Sequence, residues 1–317
     1  MKATLLPIFL ILGSSVTAQK ITSYSDYTGQ PSDAAHARFI SLLEHTDSGW
    51  HRIEYYVQGP VVKMEGWFED SACYISNGKL ILAYPNKKPE YVGHYVHNKR
   101  QGPCLYYHYN GMMADSAVYE AGKPVGTKMG WHRNGIKSDS AFCNADGSGV
   151  EVTWFDNGNL SSAGAWAAGH KRQGRWKFFH RNGKLSALEL YDQDRLLQKQ
   201  YYDENGQTQT DTTDNARISS YGPGPAAWRA YLDKNTRWPP GYKITKSDEA
   251  AVAVTFTVDE DGKIIDAFIS IPFYEPFNKE ALRVLTSGPR WLPGINHNRR
   301  VQDSWTESII FRQSEDD

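Results

Sequence analysis

The chain has 317 residues, of which 40% are hydrophobic and 13% aromatic, and 35 basic against 36 acidic residues give a formal net charge of -1. This length and composition predict a globular protein of roughly two domains, each large enough to bury a core. Because the net charge is close to zero, no strong field attracts nucleic acid, and we expect no nucleic-acid partner.

The first eighteen residues have the pattern of a secretory signal. Lys2 precedes a short apolar run at 5–12, and Val16-Thr17-Ala18 offers small residues for cleavage before Gln19. The run is shorter than the ~20 residues that a membrane-spanning helix needs. We therefore expect export, with no transmembrane span after cleavage. An uncleaved chain would instead keep 1–18 as an inner-membrane anchor.

Residues 19–48 contain one predicted helix. Ser32 or Asp33 is a candidate N-cap. Apolar residues after it recur at helical spacing, namely Ala35, Phe39, Leu42 and Leu43. We expect this helix to cover the open end of the region that follows.

Residues 49–206 contain a repeat built around Asn-Gly. The dipeptide occurs at 77-78, 110-111, 134-135, 157-158, 182-183 and 205-206. The intervals are 33, 24, 23, 25 and 23 residues, and the long first interval indicates an insertion or a degenerate unit. Asn-Gly between apolar runs favours a type I′ turn with positive φ at both central residues, so each unit predicts a β-hairpin. Because isolated hairpins are marginal in water, we expect them to stack into one elongated, single-layer antiparallel sheet.

The repeat unit has a fixed internal spacing. In four units a glycine is followed by four residues, an aromatic residue, two further residues and Asn-Gly, as in Gly102, Tyr107 and Asn110-Gly111. This pattern resembles the MORN repeat, in the divergent form of exported and antitoxin-like bacterial proteins. The resemblance implies a scaffold or a surface for protein or lipid. Lys99-Arg100-Gln101-Gly102 recurs at 171–174 and is either a basic stripe for lipid headgroups or solvated loop charge.

Candidate catalytic and metal-ligating groups are explained better by ordinary structure. His94 and His97 lie in a predicted strand, where residues three apart face opposite sides. Asp192 and Asp194 have no apolar frame that would raise a carboxyl pKa, so a solvated turn is expected. We predict no enzyme activity and no catalytic, cofactor or metal site.

Three cysteines lie in the repeat region, Cys73, Cys104 and Cys143. They allow either one disulfide with a spare thiol or three buried free thiols. Residues 207–225 are rich in Thr, Asp, Ser, Gly and Pro, which predicts an interdomain linker.

Residues 226–317 have an ordered set of elements. The alternation Val252, Val254, Phe256, Val258 predicts a strand, and Asp261-Gly262 predicts a hairpin turn after it. Asn278 is a candidate cap for a helix containing Ala281, Leu282 and Leu285, and Ile309 to Phe311 reads as a closing strand.

This segment resembles the C-terminal domain of TonB, the periplasmic protein that energises outer-membrane receptors. The resemblance covers about 226–312 and includes Trp238-Pro239, Asp261-Gly262, Pro289-Arg290-Trp291-Leu292-Pro293-Gly294 and the final strand. It implies two helices on one face of a three-stranded antiparallel sheet. The predicted fold class is thus β-rich α+β, a long sheet of hairpins followed by a small TonB-like domain.

The resemblance also implies where a partner binds. In the family the terminal edge strand accepts an extended receptor peptide by strand addition. Carried over, the peptide-binding edge consists of Ser304, Trp305, Thr306, Glu307, Ser308, Ile309, Ile310 and Phe311, and the receptor-contact candidates are Arg237, Trp238 and Pro239. Alternation places Trp305, Glu307 and Ile309 on one face of this strand.

Two hypotheses follow for function. The first is a periplasmic TonB-like protein that binds an outer-membrane receptor or another envelope protein and has a role in TonB-dependent transport. The alternative is a MORN-repeat scaffold that binds envelope lipid or protein, with a C-terminal domain that only docks or dimerises. The chain departs from the TonB pattern because only 221–225 resembles the family's Pro-rich spacer.

Overall fold

The structure is a computed structural model and describes residues 20–244 and 249–313. The predicted signal at 1–18 lies outside the described residues. The described chain contains twenty-one strands and two helices. The first sixteen strands are β1 Lys20–Ser25, β2 Phe39–Thr46, β3 Gly49–Tyr56, β4 Val61–Phe68, β5 Ser76–Ala83, β6 Pro89–Val96, β7 Lys99–Arg100, β8 Gly102–Tyr107, β9 Met113–Glu120, β10 Lys123–Trp131, β11 Lys137–Cys143, β12 Gly149–Trp154, β13 Leu160–Ala167, β14 Lys171–Phe179, β15 Leu185–Asp192 and β16 Arg195–Tyr201. The remaining elements are α1 Pro225–Asn235, β17 Glu249–Val258, β18 Ile264–Ile271, α2 Glu275–Thr286, β19 Gly294–Asn296, β20 Arg299–Val301 and β21 Asp303–Arg312.

Strands β1 to β16 form one sixteen-stranded sheet in chain order, with the short β7 beside β6. Neighbouring strands pair antiparallel, so the sheet is a continuous series of hairpins. A three-stranded sheet and the two helices follow it. The predicted β-rich α+β fold class is therefore confirmed.

The helix expected within 19–48 is absent from the described residues 20–48, where a turn at 34–36 leads into β2. Phe39 and Ser41 are both buried on β2, so the burial period is two and not 3.6. Asp33 does accept the N–H groups of Ala35 and His36, at 2.8 and 3.1 Å, but it caps a short turn at 34–36 and not a helix. Pairing with β3 outweighs the helical spacing of the apolar residues, and the sheet is extended instead of covered.

Five of the six Asn-Gly dipeptides lie in turns, but these turns are not of the predicted type I′. The sixth, Asn77-Gly78, was wrongly predicted as a turn, because it lies inside β5 and Gly78 pairs with Tyr95 of β6. In the turn between β8 and β9 the N–H of Gly111 donates to the carbonyl of His108 at 2.7 Å. Gly111 has a φ of 87°, whereas Asn110 has no positive φ. The turn therefore lacks the pair of positive φ values that defines type I′, and its last residue is a left-handed glycine. Turns with two positive φ values lie at the opposite ends of the strands, at Ala121-Gly122 and Gln193-Asp194.

The Asn side chains link each turn to the next. Nδ2 of Asn110 donates to the carbonyl of Arg133 at 2.8 Å, while Oδ1 accepts the N–H of Met112. Equivalent links start at Asn86, Asn134, Asn157 and Asn182. We call these five asparagines the amide ladder. Asn86-Lys87 is the degenerate unit of the long first interval, because Lys87 has a φ of 69° where the other units have glycine.

One face of the large sheet places aromatic rings over glycines. Trp176 is 3% exposed, and a Cβ built on Gly164 would lie 2.1 Å from its ring. Tyr91 packs in the same way against Gly93, and its hydroxyl donates to Sγ of Cys104 at 3.3 Å. Gly164 and Gly93 are therefore needed for space beneath the rings, whereas the repeat glycine Gly102 has open space and a φ of 75°.

The small domain has its core between β17 and the helices. Val252, Val254 and Val258 of β17 are fully buried, together with Phe277 and Leu285 of α2. Burial of this set supplies the hydrophobic stabilisation of the domain. Neither helix in the described part of the chain is long and apolar enough to cross a membrane.

Helix α2 begins earlier than predicted. It starts at Glu275, with Pro276 in the first turn and Tyr274 at the N-cap position. Asn278 lies inside the helix, where its Oδ1 accepts the N–H of Phe273 at 2.9 Å. The proline fixes a helical φ at the start, so the side chain of Asn278 is free to hold the preceding loop.

The small domain packs on the large sheet in two places. Along β18, Phe268 stacks on Tyr109 of an Asn turn with ring centroids 4.3 Å apart. At the hairpin of β19 and β20, the His297 ring stacks on Phe178 at 3.6 Å, and its Nδ1 lies 2.9 Å from Oε2 of the buried Glu189. These contacts join residues that are more than a hundred positions apart in the chain.

Candidate binding edge

Strand β21 forms one outer edge of the three-stranded sheet. It pairs with β17 from Asp303↔Val258 to Arg312↔Glu249, and within the described chain no other strand pairs with it. All eight residues of the predicted peptide-binding edge, 304–311, lie on this strand. An edge strand exposes a row of main-chain donors and acceptors that a further strand can use.

The two faces of β21 differ in polarity. Ile309 and Phe311 face the helices and are 0% and 1% exposed. Ser304, Thr306 and Ser308 face the other way and are exposed. An added strand would therefore meet apolar surface on its helix side and hydroxyl groups on its outer side.

Glu307 places a carboxylate on the helix-facing side of this edge. Its Oε2 accepts the indole N–H of Trp228 on α1 at 3.1 Å. Burial raises the pKa of Glu307, and the Trp228 hydrogen bond and the charge of Arg229 oppose that rise only in part. Oε1 has no hydrogen-bond partner among the described residues. The sequence already contained a signal for this group, because a charged residue stands at an inward position between Trp305 and Ile309.

The opposite edge of the small sheet, β18, is covered by the large sheet. The Tyr56 hydroxyl donates to the carbonyl of Ser270 at 3.4 Å, and Nη1 of Arg133 donates to the carbonyl of Asp266 at 2.8 Å. Side chains of the repeats thus occupy main-chain acceptors of β18. Among the described residues, β21 is the edge of the small sheet that stays open.

Arg38 fixes the N-terminal end of the large sheet to the small domain. Its guanidinium donates to the carbonyls of Ala251 and Pro272 at 2.8 and 2.9 Å and lies 4.1 Å from the ring centroid of Phe273. Burial lowers the pKa of Arg38 to about 10. A cavity of about 560 Å³ lies beside it, between the N-terminal segment and β17. No sequence motif marks this contact, because the partners of Arg38 are main-chain carbonyls.

The receptor-contact candidates 237–239 adjoin the far end of β21. Arg237 is exposed, whereas Pro239 is buried and the Trp238 ring packs edge-on against Phe277 at 5.1 Å. Trp238 also lines a cavity of about 130 Å³ together with 310–312. Arg237 is therefore the member of this group whose side chain is most accessible to a partner.

The cysteines are three free thiols. Cys104 and Cys143 are buried and Cys73 is half-buried. Burial raises the pKa of Cys73 and of Cys143, which disfavours the reactive thiolate. Of the two possibilities left open by the sequence, the structure has the free thiols.

The histidine and aspartate pairs lie in turns or beside them. His94 is exposed on β6, and His97 follows in a two-residue turn next to Glu69. Asp192 ends β15, and Asp194 holds a turn by accepting the N–H of Arg172 at 2.6 Å. No group of three His, Cys, Asp or Glu that could hold a metal is found in 20–244 or 249–313.

The two Lys-Arg-Gln-Gly segments have a structural role. Nη1 of Arg100 donates to the Tyr119 hydroxyl, and Nη1 of Arg172 donates to the Tyr191 hydroxyl, each at 3.1 Å. Both guanidinium groups also lie about 5 Å from the tyrosine rings. The glutamine after each arginine accepts a backbone N–H of the facing turn. The arginines are thus packed on the sheet and are not solvated loop charge.

Comparison with known proteins bears on the large sheet. Residues 172–193 match the family model described as MORN repeat variant. The match spans β14, the Asn182 turn and β15, which is one hairpin of the series. No curated protein matches the chain. The MORN part of the sequence interpretation is therefore supported by both the family match and the sheet.

Proposed function

We propose that this protein is a periplasmic, non-enzymatic binding protein whose TonB-like domain captures an extended segment of an outer-membrane receptor or transport protein at β21. The observation that carries the proposal is the open edge of β21, opposite a β18 edge that the repeats cover. Strand addition draws its affinity from main-chain hydrogen bonds, and side chains on alternate positions add specificity.

The large sheet would serve as a rigid mount for this domain. Two arginines hold the small domain at separate places along the sheet. Arg38 donates to the carbonyls of Ala251 and Pro272, and Arg133 donates to the carbonyl of Asp266. Because the domain is held through β18 and β17, the contacts do not use the main chain of β21. The mount therefore leaves a partner free to approach β21.

Capture of outer-membrane proteins tests the proposal. The chain from residue 19, immobilised and exposed to detergent-solubilised outer membranes, is expected to retain a receptor or transport protein that mass spectrometry identifies. Thr306→Pro and Glu307→Pro are compared, because backbone N–H groups alternate in direction along a strand. A variant that keeps the circular dichroism of the folded chain has lost an N–H that points away from β17. We call it the folded proline variant and expect it to lose capture. Thr306→Ala is the control that keeps capture. Equal capture by the folded proline variant would contradict the proposal.

A second candidate function rests on the outer surface of the repeats. Phe142 and Val150 face each other across β11 and β12 and are 51% and 55% exposed. Exposed apolar pairs of this kind favour a scaffold that binds envelope lipid or protein. The test is co-sedimentation of the full chain with anionic liposomes. This alternative is supported over the first if the double variant Phe142→Ser, Val150→Ser loses co-sedimentation while the folded proline variant keeps it.

A further inference from the structure

We infer that Glu307 makes the β21 edge selective for an incoming strand that carries Lys or Arg opposite it, and that it prevents β21 from pairing with β21 of a second copy. The inference rests on the proposed function, because it concerns which strand the open edge accepts. The partner that we expect at this edge is an extended peptide segment with a basic residue on the side that faces the helices.

The position of Glu307 gives it this influence. It lies at the edge of the sheet, on the side that faces α1, and the indole of Trp228 satisfies Oε2 at 3.1 Å. Oε1 has no hydrogen-bond partner among the described residues, and Arg229 is the cation whose charge acts on the group. The carboxylate is half-buried and can accept one more donor.

An incoming strand would put one side chain directly opposite Glu307. Side chains opposite each other in an antiparallel pair have Cβ atoms about 5 Å apart and face the same side of the sheet. A Lys or Arg there can donate to Oε1. An apolar side chain would bury Oε1 without a donor, and an acidic one would place two like charges together.

The same geometry disfavours a second copy. If two β21 strands pair about Glu307 with their helix sides together, the two Glu307 carboxylates oppose each other. A shift of two residues in either direction places each Glu307 opposite Trp305 or Ile309. The Trp305 indole already donates to Oγ of Ser219 at 2.7 Å, so none of these registers offers Oε1 a free donor. An inward charge on an edge strand is a known protection against edge-to-edge pairing.

The other side of β21 completes the description of the partner. Ser304, Thr306 and Ser308 present exposed hydroxyl groups. Thr306 already meets Thr255 of β17, with Oγ1 atoms 2.9 Å apart. An added strand with Ser or Thr on this side would continue the row of hydroxyls. The fitting segment thus alternates hydroxyl residues with a helix side that contains Lys or Arg.

Peptide binding tests the selectivity. The probes are three fluorescein-labelled twelve-residue peptides in which Thr and Val alternate around one central Lys, Gln or Glu on the Val side. We expect the wild-type chain to bind the Lys peptide about tenfold more tightly than the Glu peptide. Glu307→Lys should reverse that order and Glu307→Gln should remove it. Glu275→Gln, a change to an exposed glutamate on α2, is the matched control and should keep the wild-type order.

Sedimentation velocity tests the exclusion of a second copy. We expect Glu307→Gln to self-associate at a concentration about tenfold lower than the wild-type chain does. Equal affinities for the Lys and Glu peptides in the wild-type chain, or no binding of any of the three, would overturn the inference. Unchanged self-association of Glu307→Gln would overturn its second part. If the wild-type chain still captures a receptor in these cases, the edge binds strands without this selectivity. If the folded proline variant also captures the receptor, the proposed function itself is wrong.

Discussion

At the level of single residues, the large sheet depends on glycines that make room for aromatic rings. Gly164 has no left-handed φ, so its need for glycine comes from space alone. Trp176 covers it, is almost fully buried and donates its indole N–H to the carbonyl of Ala165 at 3.0 Å. The ring therefore has little freedom to move away from an added methyl group.

We predict that Gly164→Ala lowers the free energy of unfolding by about 1–3 kcal/mol, because the added Cβ overpacks against the Trp176 ring. Urea denaturation followed by tryptophan fluorescence measures the change. Gly158→Ala is the comparison, since its Cβ would meet nothing within 4 Å and only its φ of +84° is strained. No loss of stability in Gly164→Ala, or a smaller loss than in Gly158→Ala, would contradict the assignment of this cost to the Trp176 ring.

At the level of elements, the amide ladder explains why the turns repeat Asn. Each Asn bonds within its own turn and to the carbonyl of the next turn, so the side chain couples successive hairpins. Stacked units that contact only their neighbours gain stability from such interfaces. The amide ladder lies at the same ends of the strands that β18 contacts.

We predict that Asn134→Ala destabilises the chain by about 1 kcal/mol, because it removes the bonds to the Asp156 carbonyl and to the N–H of Ile136. Thermal denaturation compares it with Asn144→Ala. Asn144 lies in a turn at the opposite ends of the strands, where, among the described residues, its side chain bonds only to Ser148. A smaller loss is expected there, and equal losses would argue against coupling between units.

Turns at five of the six Asn-Gly dipeptides could be predicted from the sequence, but the turn at Asn86-Lys87, the turn type and the N-terminal strands could not. Asn-Gly is a local signal, and its period survives even where Asn86-Lys87 replaces it. Each Asn side chain also bonds to a turn more than twenty residues away, and no local pattern contains that contact. In β2, Phe39 and Ser41 fit a strand while the apolar residues also fit a helix, and only pairing with β3 decides between them.

At the level of the whole molecule, the small domain and the repeats behave as two parts joined by buried polar contacts. Glu189 on β15 is 3% exposed and bonds His297 of the β19 and β20 hairpin. Burial raises the pKa of Glu189, but hydrogen bonds from His297 and Tyr191 outweigh it, and that pKa is lowered overall. Arg172 also acts on it with a favourable charge.

This lowered pKa predicts acid sensitivity of the docking. A carboxylate with a depressed folded-state pKa contributes stability above its unfolded pKa and loses that contribution as the pH falls through the folded value. We expect the free energy of unfolding to fall between about pH 5 and pH 3, less steeply in Glu189→Gln. Denaturant titrations across this range measure it, with Glu204→Gln at an exposed position as control. An unchanged slope in Glu189→Gln would contradict the assignment.

The candidate site was only partly predictable. The position of β21 as the final edge strand follows from local alternation and from the TonB resemblance. The cover over β18 does not, since Arg133 and Asp266 meet only when the whole sheet is assembled. The openness of β21 relative to β18 is thus a property of the assembled molecule.

Amide hydrogen exchange of the full chain, alone and with the outer-membrane protein that it captures, tests the central claim most directly. We predict that the amides of 304–311 exchange faster in the free chain than those of β17, and become protected in the complex while β18 is unchanged. Protection confined to the repeats, or no change along 304–311, would contradict the account.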